Sequence, residues 1–209
     1  MNEDSTQITI AIESAINGGS LALFRGSELI DEMTGATALS RAEDLLPNIE
    51  ILLTRNTLMA PEITHVIAGA GPGSFTGIRI GLATAIGFAT AVNAEFRSVS
   101  TLEVMAHASG LQGSLICSLP VGRGTICWQQ FGPGPNAAEG PQPIASHEFA
   151  DLVRNSTDKT FVVNGSIEAE FSFELPPHLV NIGDGLATYI GRFGPLIAYS
   201  PPLFIAKQK

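Results

Sequence analysis

Lysine is nearly missing from this sequence: it occurs at Lys159, Lys207 and Lys209 and nowhere else. The 209 residues carry 11 basic side chains against 20 acidic ones, a formal charge of −9. Nucleic-acid affinity comes largely from Lys and Arg neutralising phosphates. The chain alone is therefore expected to bind nucleic acid weakly, and any work on RNA would need a basic partner. Cysteine is scarce too. Cys117 and Cys127 are too few for a disulfide framework or a structural zinc site, and read as small buried residues. They lie symmetrically about Gly122, so a hairpin turning there would set them opposite each other. The opening MNEDSTQITI has no basic segment, and no apolar run is expected to approach the ~18 residues of a membrane span. Together these absences suggest a cytoplasmic chain with no membrane partner. His65, His107, His147 and His178 have no matched spacing, so no metal pair is expected.

What is present is apolar: 44% of residues are hydrophobic and only 15% charged, so much of the chain must be internal or interfacial. The first part alternates toward an antiparallel meander, with strands expected at 7–12, 20–24 and 28–33. Ser40-Arg41-Ala42-Glu43 is a capping box, and Leu45, Leu46, Ile49, Leu52 and Leu53 behind it share one helical face over Ser40–Arg55. A short strand at 65–68, a helix over Thr76–Val92, a strand at 96–99 and a second capping box at Ser100–Glu103 follow. This β-β-β-α-β-α-β-α order predicts a mixed sheet with helices on its faces. Beyond it the pattern suggests a hairpin (114–119 with 125–131), a breaker-rich loop over 132–143 and a helix at 146–154. A strand at 160–163, a helix at 185–193 and an extended tail complete the chain. Two units, 1–105 and 106–209, are expected.

Between the strand at 65–68 and its helix stands GAGPGSFTGIRIG, Gly69 to Gly81. It is not a Walker A loop, since it has no lysine to reach a β/γ-phosphate. It misses the dinucleotide fingerprint at its third glycine, where Ser74 stands, and Pro72 removes an N–H from any cradle. Nor is Gly-Pro-Gly-Ser-Phe the Gly-x-Ser-x-Gly elbow of a hydrolase nucleophile, which leaves little basis for a peptidase. The lone acid after the first strand, Glu13, could serve phosphotransfer or simply cap a turn. On a helical wheel Gly77, Gly81 and Ala85 share a face with Thr84 and Ala91, interrupted only by Phe88, while Ile78, Leu82 and Ile86 form a bulky flank expected to bury on the sheet. Each internal glycine costs up to ~1 kcal/mol of helix stability relative to alanine, so close packing must return that energy. The neighbour can be another helix of the same chain or a foreign one; the residues alone do not choose. Arg79 points away from that face and is expected to pair with an acid of its own chain.

The run Gly71 to Ala83, GPGSFTGIRIGLA, resembles the GPGSFTGLRIGLA stretch of the TsaB (YeaZ-type) family, with one conservative difference in thirteen residues. Ala11-Ile12-Glu13-Ser14, Ala42 to Pro47, Val99 to Glu103 and Gly124 to Trp128 resemble further family segments, so the likeness spans about Ile8 to Phe131. It implies an actin-like/sugar-kinase-like (ASKHA) α/β fold of two related lobes. It also implies a non-catalytic subunit that docks a metal-containing, ATP-binding TsaD-like transferase, joined by a TsaE-like ATPase, to make threonylcarbamoyladenosine in tRNA. A homodimer through the same surface is implied when the partner is absent. No cofactor of its own is implied, with ATP or ADP held by or shared with the partner complex. The interface helices of the family correspond to Ser40–Arg55 and Thr76–Val92. The contacts expected there are Leu45, Leu46, Ile49, Gly71, Pro72, Gly73, Ser74, Phe75, Thr76, Gly77, Gly81, Thr84, Ala85 and Phe88. Glu13 and Ser14-Ala15 depart from the family's Asp and Thr-Ser, which weakens any phosphate or Mg²⁺ role at the first turn.

Overall fold

The computed structural model describes residues 6–16, 18–34, 42–132, 140–156, 158–165, 167 and 177–203. The first part forms β1 (Ile8–Glu13), β2 (Ser20–Arg25), β3 (Glu28–Thr34), α1 (Ala42–Arg55), β4 (His65–Gly69), α2 (Phe75–Val92), β5 (Glu95–Val99) and α3 (Thr101–Ala108). The second forms β6 (Leu115–Gly122), β7 (Thr125–Phe131), β8 (Gln142–Ala145), α4 (Ser146–Asn155), β9 (Thr160–Val163), β10 (Leu179–Asn181) and α5 (Leu186–Phe193). The expected meander, both early helices and the hairpin are present. Strands β8 and β10 were not foreseen. Ser40 and Arg41 of the first capping box lie outside the described residues. In the second, the Glu103 N–H donates to Ser100 Oγ at 3.4 Å and caps α3.

The two sheets repeat one plan. The first runs β3-β2-β1-β4-β5, and the second, read the same way, β8-β7-β6-β9-β10. In each, three antiparallel strands are followed by two parallel ones. β1 is buried along its whole length because helices cover both faces of its sheet. Ile8, Ile10 and Ile12 point toward α1 and α2, while Ala11 joins Ala22, Phe24 and Ile67 beneath α5. In the second sheet Cys117, Leu119 and Cys127 pack with Leu102 and Met105 of α3, and Ile116, Phe161 and Val163 pack with Phe149 and Val153 of α4.

The last helix of each part crosses to the other sheet. α3 packs on β6, β7 and β9, α5 packs on β1, β2 and β4, and the two helices meet between the sheets. The approach of α5 is close: the Ala187 N–H donates to Ser20 Oγ at 2.9 Å, and a Cβ on Gly191 would run into the Phe24 ring. The cysteines are not opposite each other. Cys117 faces Gln129 and Cys127 faces Leu119, because the hairpin turns at Arg123–Gly124, between the paired Gly122 and Thr125, and not at Gly122.

One expectation about length is corrected. α2 is 18 residues with mean hydropathy 1.5, long and apolar enough by composition to cross a membrane. Here Gly77, Ile78, Gly81, Leu82, Ala85 and Ala89 bury against the rest of the chain.

Candidate docking face

α2 has two sides with different neighbours, and the glycines mark the inner one. A Cβ on Gly77 would overlap the Ser14 carbonyl oxygen and lie 2.7 Å from the Ala15 Cα. On Gly81 it would overlap Ser14 Oγ, and on Gly73 it would stand 2.6 Å from the Ala15 Cβ. Real Cβ atoms do not tolerate such distances, so the turn after β1 occupies the space that the missing side chains leave. Hydrogen bonds fix the seat. Ser14 Oγ–H donates to the Gly77 carbonyl at 2.8 Å, and the Ser74 N–H donates to the Ala15 carbonyl at 2.9 Å. Ser74 also caps the helix, its hydroxyl accepting from the Gly77 N–H at 3.4 Å.

Glu13 holds the turn from below. It is 3% exposed, and its carboxylate accepts from the Ala15 N–H at 2.7 Å and from the Ile16 N–H at 3.2 Å. Burial pushes its carboxyl from the usual 4.5 up to about 7, against the opposing pull of those N–H groups. Between phosphotransfer and capping, the two uses open to this residue in the sequence, its bonds are those of a cap.

The outer side of α2 and the adjoining side of α1 are apolar and open. Leu46 is 50% exposed, Phe75 56% and Ile86 49%, and Met59 beyond α1 reaches 70%. A groove of about 580 Å³ runs between α1 and the chain that follows it, with Phe88 of α2 on its wall. Arg79 lies with its guanidinium carbon 5.3 Å from the centroid of the Phe75 ring. Single exposed apolar residues are ordinary, whereas several large ones on two neighbouring helices mark an interaction surface.

The TsaD family profile, described as tRNA N6-adenosine threonylcarbamoyltransferase, matches residues 36–163. The chain belongs to this family and is of the TsaB/YeaZ type. It is 26% identical over 125 residues to the tRNA threonylcarbamoyladenosine biosynthesis protein TsaB of Escherichia coli, covering 58% of this chain and 54% of that one. Among solved structures, YeaZ from Pseudomonas aeruginosa superposes with a TM-score of 0.64 at 16% identity, covering 90% of this chain and 91% of the other. The ethanolamine utilization protein EutJ from Carboxydothermus hydrogenoformans gives 0.56 at 12%, with 90% and 89% covered. The fold is the actin-like/sugar-kinase-like one that the resemblance implied.

Set against this geometry, the expected contact residues separate into two groups. Gly77, Gly81 and Ala85 are buried inside the chain, so the small-residue stripe does not receive a foreign backbone. This corrects the reading of the stripe as a partner contact. The neighbour is the turn at Ser14–Ala15, a partner that no helical wheel could display. Leu45 and Ile49 are core residues, 0% and 1% exposed, because their side of α1 faces the sheet. Gly71 and Pro72 are buried as well, with the Gly71 carbonyl accepting from the Thr101 N–H. Leu46, Ser74, Phe75 and Thr76 are exposed, and Gly73, Thr84 and Phe88 are half-buried. Two further expectations about α2 change. Ile86 faces outward instead of toward the sheet, and Arg79 stacks on Phe75 instead of pairing with an acid among the described residues. The sequence did not single out Met59 or Ile86 as surface residues. For Ile86 the wheel held the signal, since it lies within about 20° of Phe75 at 100° per residue.

Proposed function

We propose that this chain is a non-catalytic scaffold subunit that docks and activates a TsaD-like transferase for threonylcarbamoyladenosine synthesis next to the tRNA anticodon. The exposed apolar face of α1 and α2 carries the reading: Leu46, Phe75 and Ile86 lie open on two neighbouring helices. Family membership and the E. coli TsaB likeness support a TsaD-type partner. A TsaE-like ATPase joins the complex, and the same face closes a homodimer when the transferase is absent. The chain works in the cytoplasm and carries no cofactor of its own, nucleotide being held by the partner complex.

A small ATP-dependent phosphotransferase is the competing reading, and the first turn speaks against it. The Ala15 and Ile16 N–H groups, the natural phosphate donors there, are spent on Glu13. Gly77 and Gly81 close the space above. The test is solution mass with and without the TsaD-type chain of the same cell, for the wild type and for Leu46→Glu. The expected result is a stable complex that the variant loses while its fold and thermal midpoint persist. Absence of a complex with the wild type would overturn the proposal, as would micromolar Mg-ATP binding by the isolated chain.

A further inference from the structure

α2 carries a single charged residue in 18, and it stands on the open side. Phe75, Arg79 and Ile86 are spaced four and seven apart, which lines them up along one stripe of the helix. The guanidinium of Arg79 lies over the Phe75 ring. No hydrogen bond or ion pair to it occurs among the described residues. Arg55, at the end of α1, is by contrast already held by Asp31 at 2.8 Å.

We propose that Arg79, held over Phe75, is the polar anchor of the docking face and receives one carboxylate from an otherwise apolar partner surface. The inference rests on the docking reading above. The cation–π contact with the ring holds the guanidinium near its bound position, so less side-chain freedom is lost on association. Its N–H edge stays free for two parallel bonds to a carboxylate, a geometry that lysine cannot copy. Arg and aromatic residues are the types that dominate binding energy at interfaces. The positive end of the α2 dipole, one turn away, adds to the attraction for an anion. An RNA phosphate offers similar chemistry. One cation among apolar side chains, on a chain of charge −9, favours a carboxylate of a protein over a polyanion.

The experiment measures affinity for the TsaD-type chain of the same cell with wild type, Arg79→Ala, Arg79→Lys and Phe75→Ala, at two salt concentrations. Arg79 is exposed, so unchanged thermal midpoints are expected and checked. Arg79→Ala should weaken binding at least fivefold and flatten its salt dependence. Lysine should restore less than half of that loss on a logarithmic scale, and Phe75→Ala should also weaken binding. A loss smaller than fivefold for Arg79→Ala, with the wild type binding, overturns the anchor and leaves the docking reading standing. If the wild type itself fails to bind, the docking reading falls and takes the anchor with it. Unchanged protein affinity together with lost tRNA retention by the complex would assign Arg79 to RNA and also overturn the proposal.

Discussion

Three glycines on α2 should respond to the same substitution with different signs. In a helix interior, alanine is favoured over glycine by ~1 kcal/mol. Gly87 has nothing within 4 Å of an added Cβ, so Gly87→Ala should stabilise the chain by about 0.5–1 kcal/mol. At Gly81 the added methyl would meet the Ser14 hydroxyl. The hydroxyl can rotate away only by giving up its bond to the Gly77 carbonyl, and a buried hydroxyl left unpaired costs about 1–3 kcal/mol. Propensity offsets part of this, leaving Gly81→Ala destabilised by roughly 1 kcal/mol. At Gly77 the obstacle is backbone, the Ser14 carbonyl and the Ala15 Cα, which cannot rotate aside. Overpacking of about 1–3 kcal/mol adds to the loss of bonds between α2 and the turn, so Gly77→Ala should cost roughly 2–4 kcal/mol. Urea denaturation at neutral pH reads all three. Adding Ser14→Ala to Gly81→Ala should recover most of the loss, a non-additivity expected of residues in contact. If Gly77→Ala is as stable as Gly87→Ala, the turn does not fill the stripe and the packing argument is wrong.

Glu13 makes stability depend on pH in a direction opposite to most carboxylates. Its carboxyl is raised from 4.5 to about 7 by burial, so between those values the folded chain binds more protons than the unfolded one. Stability from this group is full below pH 4.5 and falls as pH rises through about 7. At about 1.4 kcal/mol per pH unit, the loss is roughly 3 kcal/mol. Glu13→Gln should therefore narrow its deficit, or overtake wild type, as pH climbs from 5 to 8 in parallel urea titrations; parallel pH profiles would refute this. Cys117 and Cys127 are buried thiols whose ionisation burial suppresses, Cys127 being pushed up to about 12. Neither should react with a thiol reagent at pH 8 until the chain unfolds, and rapid labelling of the native chain would contradict that burial.

Strand periodicity was legible wherever one strand turns directly into the next. β1, β2, β3 and the β6–β7 hairpin carry their own turn residues, so their order and antiparallel sense follow from neighbours in the sequence. β8 is four residues long and β10 three, too short for alternation to build a signal, and both owe their pairing to strands already in place. The crossing of α3 and α5 to opposite sheets was not legible either. Their apolar faces state that something covers them, while the partner sheet is fixed only when both sheets exist. The pairing of the cysteines was missed for a more local reason: symmetry about Gly122 assumes that the turn is centred there, whereas the paired Gly122 and Thr125 centre it on Arg123–Gly124 and leave Cys127 facing Leu119.

Helix α2 shows why glycine spacing alone misleads. Gly77 and Gly81 announce that some backbone comes close to α2, and that much is true of this chain. A stripe of small residues has no sign that separates an inner neighbour from a foreign one, because both use the same short approach. What separates them is the other side of the helix. A core helix covered on all sides has no reason to keep Phe75 and Ile86 half in solvent, nor a lone guanidinium resting on an aromatic ring. The glycines and the exposed stripe therefore have complementary tasks. The turn at Ser14–Ala15 locks the inner side of α2 against β1, and that lock holds the outer side at a fixed angle to α1. A docking surface made of two helices depends on that angle, since preformed geometry lowers the cost of association. If α2 docks a partner as proposed, the glycine stripe acts on that binding from inside the molecule, by setting the helix that the partner meets.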